Sequence, residues 1–118
     1  MTAGAHAHAF YREVAKYNDV FTLGKGGVPM LVQGAAGSVL PVWSSRSRAE
    51  KIVANASGFS GLTILGMPWD EFEKTQVPQL ERQSILLGIN WGGKAANGYE
   101  VAPQFVTESV RSAREHEV

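Results

Sequence analysis

An α+β fold is predicted for this chain of 118 residues: one small domain, with a mixed, mostly antiparallel sheet of about six short strands packed by about four helices. Three observations predict it. In the first half, glycine turns separate three short apolar segments, the pattern of a β-meander. Further on, segments with helical apolar spacing alternate with short apolar runs of strand length. The hydrophobic fraction of 44% against 19% charged residues suits a packed interior and is too apolar for disorder.

The length is that of one domain, since domains most often run ~100–150 residues. Folding at this size buries roughly two-thirds of the chain's surface, so the core needs no covalent staple. No internal repeat and no Pro- or Ser-rich linker marks a boundary. The expected organisation is a disordered or frayed stretch over 1–9, where Ala and His alternate, a single domain over 10–114, and a tail over 115–118.

The elements follow in order. From about His8 to Asn18, Phe10, Val14 and Tyr17 fall at i, i+4 and i+7, with Arg12, Glu13 and Lys16 turned outward; this predicts a helix. Val20–Leu23 is a strand, Gly24–Gly27 a turn and Pro29–Gln33 the returning strand, with Pro first, where a missing donor does least harm. Gly34–Gly37 turns the chain into a third strand, Ser38–Trp43. Ser45 or Ser47 is a natural N-cap for the next helix, and Glu50 completes a capping box with Ser47. Ala49, Ile52, Val53 and Ala56 form its apolar face, and Gly58 and Gly61 bracket its exit.

Leu62–Leu65 reads as a strand, and Pro68 opens a helical turn whose first residues carry Asp70, Glu71 and Glu73, as the helix dipole favours. Phe72 and Leu80 face the core, and Pro78 breaks or kinks this segment near Val77. The apolar run Ser84–Trp91 is a central strand covered on both sides. A glycine-rich loop, Gly92–Gly98, leads to a short strand, Tyr99–Val101. Pro103 opens a last helix with Phe105, Val106, Ser109, Val110 and Ala113 on its buried stripe.

Composition excludes several function classes. With no cysteine there is no disulfide scaffold, thiol catalysis, iron–sulfur cluster or thiolate zinc site. Eleven basic residues balance eleven acidic ones, so no global field draws in nucleic acid or an anionic membrane. The balance is uneven, however: residues 1–60 carry six basic and three acidic residues, and residues 61–118 five and eight. No apolar run approaches the ~20 residues of a membrane span, and no signal-like apolar stretch follows the N-terminus, so a cytoplasmic protein is expected.

The candidate chemistry is sparse. His6 and His8 offer at most two metal ligands and are read as part of a solvated tail; His116 is alone near the C-terminus. No His falls inside an expected core element, which leaves no obvious relay for a nucleophile. Gly24–Gly27 fails the P-loop pattern, and Gly58-Phe59-Ser60-Gly61 is not a nucleophile elbow, so both are read as turns. Gly34–Gly37 matches the bare glycine spacing of a nucleic-acid clamp, but its flanking strands argue against that role. Asp70 and Glu73 share a helix face as candidate acids, although acidic residues at a helix start are expected for stability alone. The segment Ser44–Arg48 joins a strand to a helix start, where Ser45, Arg46 and Arg48 supply donors for an anion. Trp43, Trp69 and Trp91 stand near strand ends, either in the core or lining a partner surface, and Trp69, following Pro68, is expected to be partly exposed.

Phe10–Tyr17, the strand ending near Leu23, and Val39-Leu40-Pro41-Val42-Trp43-Ser44 leading into the Ala49 helix resemble the bacterial domain of unknown function 2750 family. The Phe72–Leu80 segment, the strand Ile85–Trp91 and Val101-Ala102-Pro103 entering the final helix extend the likeness over about residues 10–113. The resemblance implies a small bacterial α/β domain and brings no activity, cofactor or catalytic residue.

The sequence is thus read as a non-enzymatic protein-binding or regulatory module, with Trp43, Trp69 and Arg46 at the surface that meets a protein partner or a second copy. The alternative is a small anion- or ligand-binding domain, or a carboxylate-based enzyme, in which the Ser45–Arg48 helix start meets Asp70 or Glu73. No catalytic residue, metal site or cofactor is expected, and neither nucleic acid nor membrane is an expected partner.

Overall fold

The computed structural model describes residues 2–116, which form an α+β domain of two small sheets and five α-helices. Helix α1 spans Ala3–Tyr17, and Thr2 caps it by accepting a hydrogen bond from the Ala5 N–H at 3.1 Å. The helix therefore begins well before the expected His8. Residues 3–9, expected to be disordered or frayed, supply two of its turns, because Ala7 and Ala9 find buried seats. Asn18 ends α1 in the left-handed region, with φ 55°, and its N–H bonds to the Val14 carbonyl. Met1 and residues 117–118 of the expected tail lie outside the described residues; 115 and 116 belong to the last helix.

The first apolar segments form β1 (Asp19–Lys25), β2 (Val28–Pro29), β3 (Val32–Gln33) and β4 (Ser38–Val42). They are not one meander. The returning segment is cut in two: β2 pairs with β1, whereas β3 pairs with β4 in the other sheet. One sheet has the order β2-β1-β5, with β5 at Thr63–Pro68. The other has the order β3-β4-β6-β7, with β6 at Leu86–Gly92 and β7 at Asn97–Val101. Every strand pair is antiparallel except β4–β6, which runs parallel from Val39↔Leu86 to Val42↔Ile89. The crossover between these two strands carries α2 (Arg46–Asn55), β5, α3 (Trp69–Thr75) and α4 (Val77–Arg82). Seven strands replace the expected six because of the cut in the returning segment.

Pro41 sits inside this sheet without breaking it. β3 reaches only Ser38 and Val39, so Pro41 lies beyond its end, where no ladder donor is asked of it. Its carbonyl accepts the Thr22 hydroxyl at 2.6 Å. Phe21 and Trp43 exchange two backbone hydrogen bonds, 2.9 and 2.7 Å, and join the two sheets.

β6 is the central strand expected from its composition, buried through Leu87–Trp91. Its two faces feed two cores: Leu86 faces one and Leu87 and Ile89 the other, and the irregularity between Ile89 and Gly92 turns Trp91 to the Leu86 side. Leu87 and Ile89 pack with Phe10, Val14, Trp69 and Val106 under α1 and α5 (Pro103–His116). Trp91 packs on the other side with Trp43, Ile52 and Phe59 beneath α2. Pro78 stands in the first turn of α4, and the break from α3 falls beside Val77, as the sequence predicts. In α5 Val106 and Val110 are buried as expected, but Phe105 is 55% exposed and Thr107 takes a buried place instead. Tyr17, expected on the apolar face of α1, is 61% exposed.

Gly88 leaves room on β6 for the Trp91 side chain of the same strand. A Cβ there meets the Trp91 indole, which is fixed by its own hydrogen bond from Nε1 to the Tyr99 carbonyl at 3.1 Å. Gly88→Ala is expected to cost ~1–3 kcal/mol through overpacking, read from the urea midpoint. Gly58→Ala, where a Cβ meets nothing within 4 Å, should stay within about 0.5 kcal/mol of the parent.

Candidate functional site

The carboxyl ends of the parallel pair β4 and β6 lie side by side, and the chain leaves β4 directly into α2. In open α/β sheets, the crevice outside such strand ends is where ligands collect. Trp43 and Ser44 follow β4, Asn90 and Trp91 close β6, and His6 and Glu13 come from α1. His6 and Glu13 lie seven residues apart, two turns along one helix face.

Asn90 organises the cluster. It is 1% exposed and adopts φ 46°, a left-handed conformation that Asn tolerates better than most residues. The β6–β7 register shifts between Ile89 and Gly92, and this irregularity turns Asn90 inward. Its Oδ1 accepts the Ser44 N–H at 2.9 Å; its Nδ2 donates to the Ser44 Oγ at 3.0 Å and to the His6 carbonyl at 3.1 Å. The Ser44 hydroxyl in turn donates to Glu13 Oε1 at 2.7 Å. Arg48 closes the network as a fork on Glu13, with Nε to Oε1 at 3.1 Å and Nη2 to Oε2 at 2.8 Å. Glu13, expected to face outward, is therefore the partner that fixes both Ser44 and Arg48. The Arg48 hydrogen bonds, helped by Ser44, hold the Glu13 carboxyl below the usual carboxylate range against the opposing effect of burial.

A cavity of about 310 Å³ opens beside this network, between the outer face of α2 and the turn after β6. His6, Arg48, Lys51, Asn55, Asn90 and Lys94 bring polar groups to it, over a floor of Trp43, Trp91, Gly92 and Gly93. No carboxylate lines it among the described residues. Arg48, Lys51, Ile52 and Asn55 recur at helical spacing, so one face of α2 forms a whole wall. The His6 ring lies against Gly92, where a Cβ would stand 3.3 Å from its Cε1. His6 Nδ1 is sealed from solvent and has no partner. The neutral ring with its proton on Nε2 avoids burying an unpaired N–H, and burial together with the positive charge of Arg48 lowers the His6 pKa in the same direction.

The residues singled out in the sequence disperse. Ser45 does cap α2, accepting the Arg48 N–H at 3.3 Å, which makes Arg48 rather than Glu50 the third helical residue and rules out the expected capping box. Arg46 is exposed, its guanidinium 5.5 Å from the Phe21 ring centre, and it does not line the cavity. Trp43 and Trp69 are 1% and 0% exposed, so neither is available to a partner. Trp43 is held there by a hydrogen bond from Nε1 to the Trp91 carbonyl at 2.9 Å, and Trp69 by stacking on Phe72 at 5.4 Å. Asp70 pairs instead with Arg114 at 2.9 Å, beside Asn18, and neither Asp70 nor Glu73 lines a main cavity among the described residues. His8 lines a separate groove with Tyr11, Phe105 and His116, because residues two apart face different sides of a helix.

Sequence reasoning missed His6, Glu13, Asn90, Lys51 and Lys94. Asn90 carried the one usable signal: an amide inside an apolar strand needs partners or pays for its burial.

The family described as Protein of unknown function (DUF2750) has a model that matches residues 7–110 of the chain. Among curated proteins nothing matches. No helix of the described residues is long and apolar enough to cross a membrane.

Asn90→Ala orphans the buried Ser44 N–H and is expected to destabilise the fold by about 1–3 kcal/mol in urea unfolding. Glu13 makes a prediction with a sign. Its folded pKa lies below the unfolded value, so its contribution is complete above the unfolded value and is lost as pH falls through the folded one. Urea midpoints on acidification below about pH 5 should therefore fall less steeply for Glu13→Gln than for the parent.

Proposed function

The chain belongs to the DUF2750 family of proteins of unknown function, and from that premise we propose that it is a small-ligand-binding domain whose pocket takes an anion. One observation carries this reading. The cavity at the β4 and β6 strand ends gathers Arg48, Lys51 and Lys94, with His6, and no carboxylate lines it. Arg48 is balanced by Glu13, but Lys51 from α2 and Lys94 from the turn after β6 face the same concavity, and a bound anion relieves the repulsion between them.

The network around Asn90 supports binding rather than reaction. The Ser44 hydroxyl is committed to Glu13 and Asn90, and both Oδ1 and Nδ2 of Asn90 are occupied. These groups are spent on holding Arg48 and the wall of α2 in place, the supporting role that an orienting shell plays in a binding site. The reading as a protein-docking module through Trp43 and Trp69 lacks its anchors, since both are buried.

Titration of the full chain with inorganic phosphate or sulfate, followed by amide chemical shifts, tests this. Shifts are expected at Arg48, Lys51, Gly93 and Lys94, saturating in the millimolar range or below. Replacing both Lys51 and Lys94 by Gln should weaken binding by ~10-fold or more, about 1.4 kcal/mol. Amides of the cavity that stay unmoved at tens of millimolar anion overturn the proposal.

A further inference from the structure

Resting on the anion-binding reading, we infer that the ligand is a phosphate monoester of a small polar molecule. Its phosphate occupies the basic cavity, and its body extends into a second cavity that meets the first at His6. This second cavity, about 350 Å³, is lined by Ala3, His6, Gly92, Gly93 and Asn97, three of which also line the first.

The passage between them is open because its floor has no side chains. Gly93 has φ +78°, and nothing stands within 4 Å of the place a Cβ would take. At Gly92 a Cβ would press on the His6 ring. Glycine at these two positions leaves bare backbone along which a ligand can lie. The turn that follows is closed by Ala96 N–H to the Gly93 carbonyl at 3.1 Å and carries Lys94 on the basic side.

The two ends differ in chemistry. The first is cationic. Among the described residues the second has no Lys, Arg, Asp or Glu in its lining and offers the Asn97 amide, the imidazole and backbone, a match for hydroxyl-bearing, uncharged chemistry. The spread of donors favours phosphate over carboxylate. The Nε and one Nη2 hydrogen of Arg48 are on Glu13, which leaves the Nη1 edge and the second Nη2 hydrogen free. With the ammonium groups of Lys51 and Lys94 and the neutral Nε2–H of His6, the free donors come from α2, from the turn after β6 and from α1, not from one plane. A tetrahedral phosphoryl group, with three oxygens aimed in different directions, fits such a set better than a flat one.

Calorimetric titration of the full chain with inorganic phosphate, ribose 5-phosphate, glycerol 3-phosphate, ribose and malonate tests the inference. At least one of the two monoesters should bind ~10-fold or more tighter than inorganic phosphate, with ribose and malonate weaker than either monoester. Asn97→Tyr, which narrows only the second cavity, should remove the advantage of the monoester while leaving inorganic phosphate unchanged; retained phosphate binding also reports that the variant is folded. If inorganic phosphate binds but neither monoester binds tighter, or if malonate equals them, the inference fails and the anion site stands. If no anion binds, the proposed function fails with it.

Discussion

The Asn90 side chain is the constraint on which the rest of the molecule hangs. It sits where β6 stops being regular, in a left-handed conformation, with one amide group tying two segments distant in sequence to its own strand. It holds the start of the β4–α2 turn through Ser44 and the first turn of α1 through the His6 carbonyl. Glu13 and Arg48 then lock α1 to α2 across the same point. Buried polar networks of this kind stabilise only when fully satisfied, and here the side-chain amide of Asn90, Ser44 Oγ and the Glu13 carboxylate all have partners. The apolar cores supply the driving force for folding; the network decides how the helices sit on the strand ends, and so gives the cavity its shape.

That division explains what was legible in the sequence. Elements driven by apolar spacing stood out: α2, the central strand β6, the break near Val77 and the buried Val106–Val110 stripe of α5. Local turn chemistry was legible too, in the Ser45 cap and the glycine hairpin after β1. What escaped were matters of pairing partner. The segment 28–33 reads as one strand because alternation says nothing about which neighbour each half will bond to. The parallel β4–β6 pair is likewise invisible locally, since its two strands are separated by the whole of α2 to α4.

The site residues were hidden for the same reason. Glu13 looked solvated because helical spacing placed it off the apolar face of α1, and only the arrival of Arg48 from α2 gives it a buried purpose. His6 reads as part of a tail because Ala and His alternate there with no apolar periodicity; α1 in fact begins at Ala3, which puts His6 on the same face as Glu13. The tryptophans drew attention as possible anchors because their size suits both cores and interfaces, and sequence position alone does not separate the two. Two of them instead brace backbone: Trp43 holds the Trp91 carbonyl, and Trp91 the Tyr99 carbonyl, a relay that stiffens the cavity floor from below.

The hydrogen-bonded pair formed by Phe21 and Trp43 is the only β-bridge outside the named strands among the described residues. Each sheet has few strands, and such small assemblies are marginal in isolation. Stitched at that point, and sharing the strand-switching segment after β2, they gain or lose their order together. Slow exchange of these two amides with solvent deuterium would accordingly track whole-molecule opening rather than the fraying of either half.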